Sequence, residues 1–166
     1  KRMKCDRQTL YLALCIAFFA PIWAIFAPYI GITTGGVALI CAGIFVEAGN
    51  TVKQGLPVSI GFLLGDGWSV LVVELMKVMP FMHDINLFIL LFLGGGLAVL
   101  IASMLPKRIN LSAWLAGFAI GLLILTPAKT LGTLPLQIAI SMLVGVWYIG
   151  VFVSCVMHVV GGHKDA

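Results

Sequence analysis

Leu56-Pro-Val-Ser-Ile-Gly-Phe-Leu-Leu-Gly-Asp-Gly-Trp-Ser-Val-Leu-Val-Val-Glu-Leu-Met76 decides how this chain folds. At about 1.5 Å of rise per residue, a helix of this length crosses the roughly 30 Å hydrocarbon core of a bilayer. Near its middle stands Asp66, with Gly65 and Gly67 on either side and Trp68 just beyond. A carboxylate at that depth costs about 2.5 kcal/mol or more unless it faces other helices, water or a partner. The remainder of the chain is therefore the housing for this helix.

Composition agrees. The 166 residues are 61% hydrophobic and 10% charged, with a mean hydropathy of +1.15. Soluble domains are about 45–50% apolar and about 25% charged. The expectation is an all-α polytopic membrane protein, because the apolar runs are continuous, whereas barrel strands alternate over about ten residues. The net charge of +4 comes from basic residues at span ends and is no nucleic-acid signal. Cys5, Cys15, Cys41 and Cys155 have no metal-ligand spacing and imply no disulfide framework.

Six spans are expected: 9–27, with Pro21 and Trp23 inside; 32–48; 56–76, with Pro57 in its first turn; 85–105; 111–125; and 134–160. Residues 1–8 are a basic tail and 161–166 a polar one. Lys1, Arg2, Lys4, Arg7, Lys53, Lys107, Arg108 and Lys164 fall on one side, against Lys77 and Lys129 on the other. That asymmetry places both termini in the cytoplasm.

Sliding the chain by 78 residues lays Pro28 on Pro106, Gly43 on Gly121, Leu56-Pro57 on Leu134-Pro135, Gly67 on Gly145 and Val73 on Val151. The starts of the spans coincide in the same register. Residues 9–83 and 84–160 then form two three-helix units, inserted in opposite directions because three is odd. Inverted repeats are a recurrent plan for transporters, with the working site near the midplane where the repeats meet.

Asp66 is the sharpest candidate for a pathway residue, an anchor for a solute, a cation or a proton; the rival reading is a neutral acid serving helix assembly. Glu47 and Asn50 close span 2 and suit either a cytoplasmic mouth or a solvated helix end. Gly94, Gly95 and Gly96 suit close packing, or a kink that turns carbonyls toward a pathway. Trp68 and Trp147, both far from span ends, suit the wall of a pore, a cradle for an organic cation, or core filling. Trp23 and Trp114 read as interfacial anchors. Glu74 and Lys77 are spaced to pair on one helix face. His158 reads as interfacial or as a proton relay, and His83 and His163 as loop and tail residues. No nucleotide loop, protease motif or nucleophile elbow is present.

The segment Phe45 to Trp68, FVEAGNTVKQGLPVSIGFLLGDGW, together with Trp23, resembles small six-helix bacterial inner-membrane proteins grouped as a domain of unknown function. Glu47 and Asp66 depart from what is expected throughout that family. The resemblance implies a bacterial plasma membrane. Six spans in so short a chain are also similar in plan to small urea and amide channels, although their characteristic site residues are not recognisable. The sequence thus suggests a channel or facilitator for a small polar or cationic solute, homo-oligomeric in the lipid bilayer, not an enzyme and without a cofactor. The alternatives are a proton-coupled transporter using Asp66 and a non-transporting scaffold.

Overall fold

The computed structural model describes residues 7–80 and 82–152, and residues 7–14 by backbone alone. Its central element, α3 (Val52–Val78), begins after Thr51 in extended conformation, a turn earlier than the apolar run. Pro57 consequently lies inside the helix rather than in its first turn. Proline lacks an N–H, so the usual bond to the carbonyl one turn back is missing there. At the other end Met79 precedes Pro80 and is extended, the conformation that proline imposes on its predecessor. Glu74 and Lys77 do pair, at 2.7 Å, on an exposed surface.

Before α3 come α1 (Arg7–Phe26), which continues through Pro21, a single 3₁₀ turn (Ala27–Ile30), and α2 (Val37–Glu47). The apolar run expected as a span from Ile32 is helical only from Val37. Thr33 and Thr34 instead spend their hydrogen bonds on α6, and the Gly35–Gly36 pair gives little helix propensity to resist this. After α3 come α4 (His83–Met104) and α5 (Leu111–Leu125), where the side chain of Asn110 accepts the Ala113 N–H at 2.9 Å as an N-cap. Last is α6 (Leu134–Val144), running directly into a π-helical stretch, Gly145–Val151. The part of the sixth apolar run beyond Phe152, with His158, lies outside the described residues, as do residues 1–6 and the polar tail with His163, while Arg7 and Gln8, expected in the basic tail, begin α1.

Glycines set the packing. Gly61, Gly65 and Ser69 of α3 face Ala113, Gly117 and Gly121 of α5, each small residue one turn from the next. A methyl on Gly61 would come within 2.5 Å of the Asn110 carbonyl, and one on Gly65 would strike the Trp114 carbonyl. Both series ascend together, so α3 and α5 run parallel. Small residues let helix backbones approach this closely. A second parallel pair joins α2 to the end of α6: Gly145 abuts Ala38 and Cys41, and Gly150 abuts the ring of Phe45. Across these pairs α3 meets α6 antiparallel, Gly55 lying against Trp147 and Val151, and Ser59 bonding Trp147. Phe45, Val58, Phe62, Ile138, Met142 and Val146 fill the core between them.

Helix α4 lies outside this arrangement, against Trp68, Val72, Trp114 and Phe118. Its other face carries Phe88, Phe92, Leu100 and Met104, at least 63% exposed. Among the described residues, Val52–Val78, His83–Met104 and Leu134–Val151 are long and apolar enough to cross a membrane. Cys15–Ile30, Val37–Glu47 and Leu111–Leu125 are shorter apolar helices. The chain is thus an all-helical protein of membrane character.

A candidate site around a buried carboxylate

Position 66 falls beside the α5-facing stripe of α3, between Gly65 and Ser69. Asp66 is 6% exposed, and among the described residues its Oδ1 has no hydrogen-bond partner. Its main-chain carbonyl accepts the hydroxyl of the fully buried Ser69 at 2.6 Å. On the α5 side the wall is Gly121, where an added Cβ would lie 3.6 Å from Asp66 Oδ1 and would collide with Ser69 Oγ. Gly65 does not leave space beside the carboxylate, since the α5 backbone occupies it, while Gly67 faces open surroundings.

Thr34, Ser59 and Ser141 are also buried. Trp147 Nε1 donates to Ser59 Oγ at 2.9 Å. Asp66 is seven residues beyond Ser59, so the two share a helix face to within about 20°. Ser141 lies one turn before Gly145, on the stripe of α6 that meets α2. Ser141 shares a 3.1 Å hydroxyl–hydroxyl hydrogen bond with Thr34, both buried. One turn further, Gln137 Oε1 accepts from the Thr33 N–H and hydroxyl, each at 3.1 Å, and Gln137 Nε2 donates to Thr133. Residues Thr34, Ser59 and Ser141 carried no signal of their own in the sequence. Hydroxyls are common in membrane helices, and only the packing of α6 gives these ones their partners.

The remaining candidates disperse. Trp68 packs edge-on against Trp114, with ring centroids 5.7 Å apart, and its indole occupies the space left by Gly94. Trp147 lies on the α6 side of α3 and is 42% exposed, so the two tryptophans do not form one cradle. Helix α4 continues unbroken through Gly94, Gly95 and Gly96, and the latter two face open surroundings. Glu47 is exposed at the end of α2. Asn50, with φ of 51°, forms the left-handed turn after that helix, and its N–H reaches the Phe45 carbonyl at 3.3 Å. Trp114, expected as an interfacial anchor, is instead 2% exposed in the core, because the glycines of α3 admit the α5 backbone beside it. A groove of about 380 Å³ between α1 and the start of α2, bordered by Trp23, Leu39 and Ile149, is apolar. So is one of about 620 Å³ between α4 and α5. Among the described residues no three His, Cys, Asp or Glu side chains gather as metal ligands.

Compared with known proteins, residues 13–158 match the family described as "Protein of unknown function (DUF1097)". No curated protein and no solved structure matches the chain.

Proposed function

The chain belongs to the DUF1097 family, and from that premise we propose that it is a six-span carrier moving a small polar or cationic solute across a bacterial inner membrane. The carrying observation is Asp66, an enclosed carboxylate with one oxygen unpartnered among the described residues. Such a group in a membrane helix marks a pathway more often than a scaffold. Its enclosure favours a carrier, which occludes its cargo, over a permanently open channel.

Six crossings, cytoplasmic termini and a 3+3 inverted repeat are part of the proposal. Exchange of the two halves would convert the parallel pair α3–α5 into α6–α2, and that pair is parallel too. The short helices α2 and α5 are each the second of their unit, and short apolar segments in matching positions of two halves point to a transport site. Under this reading the chain is not an enzyme, and it assembles with further copies of itself in the bilayer.

Liposomes containing the purified protein provide the test, with uptake of ammonium, alkylammonium ions and small amides measured against empty liposomes. Uptake is expected, and Asp66→Asn and Asp66→Ala should each reduce it at least several-fold. Undiminished flux in both folded variants would remove Asp66 from the pathway. Absence of flux for every solute would leave the scaffold reading.

A further inference from the structure

We propose that the α4–α5 turn and the outer face of α4 seat an anionic phospholipid, its phosphate on Lys107 and Arg108 and an acyl chain in a notch at Gly96. Such a site is independent of whether the protein carries a solute.

Helix α4 ends at Met104, and the chain turns through Pro106, Lys107 and Arg108 into α5. Backbone bonds fix this turn. The Leu105 carbonyl accepts the N–H groups of Arg108 at 3.0 Å and Ile109 at 3.1 Å, and the Asn110 N–H reaches the Pro57 carbonyl of α3 at 3.1 Å. Two neighbouring cations are thereby held on a firm support, beside a concavity of about 290 Å³ that Met104 and Leu105 also line. Lys107 and Arg108 are exposed and have no acidic partner among the described residues. Lys53 is exposed at the same end of the bundle, one turn before Pro57. The acid described at that end, Glu47, closes α2, which packs on α6. Unpaired cations at the end of a membrane-length helix suit an anionic lipid headgroup. The opposite end of α4 carries Asp84, which repels one, so the site belongs to the leaflet on the side of the turn.

The face of α4 that rises from this turn fits the rest of the lipid. Phe88, Phe92, Gly96, Leu100 and Met104 follow at four-residue intervals and form one row along the helix. Its four side chains are at least 63% exposed, and a Cβ at Gly96 would meet nothing within 4 Å. Between Phe92 and Leu100 the row therefore has an open gap one side chain deep. The stacked rings of Phe88 and Phe92 close its far end. From Met104 to Phe92 the helix rises about 18 Å, slightly more than half of the roughly 30 Å hydrocarbon core. That is the reach of an acyl chain from one leaflet. A second copy laid parallel on this face would bring its own Lys107 and Arg108 to the same end, like charge on like. A phosphate neutralises them instead.

The test is native mass spectrometry of the intact chain, released from micelles containing phosphatidylglycerol or phosphatidylcholine with the same acyl chains. Retention of phosphatidylglycerol is expected, about tenfold above phosphatidylcholine. Lys107→Gln combined with Arg108→Gln should lower it to the phosphatidylcholine level. Gly96→Leu keeps both charges and should lower it several-fold, at an unchanged thermal midpoint. Lys129→Gln, at the opposite end of the bundle, should retain the lipid in full, and millimolar inorganic phosphate should not displace it. Equal retention of the two lipids, or a loss in Lys129→Gln as large as in the double variant, would overturn the headgroup site. Retention indifferent to Gly96→Leu would overturn the acyl seat. Displacement by phosphate would reduce the turn to a plain anion site, and a lipid-free dimer that Gly96→Leu dissociates would give the face to a second copy; either result overturns the proposal.

Discussion

Gly121 and Gly96 show how unequal two glycines in apolar helices are. A methyl at Gly121 collides with Ser69 beside the acid, whereas Gly96 has nothing within 4 Å of where a Cβ would stand. Gly121→Ala is expected to cost about 1–3 kcal/mol by overpacking. Gly96→Ala should be neutral, or stabilising by up to about 1 kcal/mol through helix propensity. Thermal unfolding of the two variants in detergent, side by side, checks this; equal midpoints would contradict the α3–α5 register. Ser59→Ala removes the acceptor of the Trp147 indole and should cost about 1 kcal/mol. It should also shift the tryptophan emission, a change absent when Trp147 is replaced by Phe in the same background. Asp66 was legible in the sequence because charge inside an apolar run is conspicuous. The burial of Trp114 was not, because it depends on glycines on another helix.

The elements differ from their apolar runs where local bonding competes with helix formation. Hydropathy places a long second span from Ile32, but the threonine and glycine stretch before Val37 binds α6 instead and leaves α2 with 11 residues. The π-helical stretch Gly145–Val151 matches, in the repeat register, Gly67–Val73 of α3, which is regular α-helix. π-Helical turns frequently accompany functional sites, and this one carries the Trp147 donor that reaches Ser59. The contact at the other end of α6 yields a direct prediction. In a chain lacking native cysteines, Thr34→Cys with Ser141→Cys should form a disulfide rapidly under mild oxidation, since these short native side chains meet at 3.1 Å. A Thr33→Cys/Lys107→Cys pair serves as the control and should remain reduced. Failure of the first pair to cross-link would displace α2 from α6.

At the scale of the molecule, the outer face of α4 is the surface most in need of an apolar solvent. Phe92, near the middle of that helix, is 70% exposed and stacks on Phe88. Phe92→Arg should cost about 2.5–3.5 kcal/mol of insertion free energy if this face meets the bilayer centre, seen as a fall in the fraction recovered from membranes. Recovery equal to the native chain would place α4 elsewhere. For the topology, single cysteines at His83 and Lys129 should react with an impermeant maleimide added outside intact cells. Labelling of either only after the membrane is opened reverses the orientation.

Sequence by itself determined the class of this protein, because hydropathy is additive along the chain and needs no partner to be read. The start and end of α5, Leu111–Leu125, and the place of Asp66 at mid-helix followed directly. The same holds for the Glu74–Lys77 pair, a local event of one helical turn. Tertiary structure alone decided which helices share a seam. Glycine spacing permits close approach but names no partner, so the pairing of Gly65 with Trp114 and Gly117 emerged only in the fold. The Thr34–Ser141 and Ser59–Trp147 hydrogen bonds arise in the same way. Each joins stretches far apart in the chain, and the helix packing that brings them together is a long-range property that no window of sequence contains.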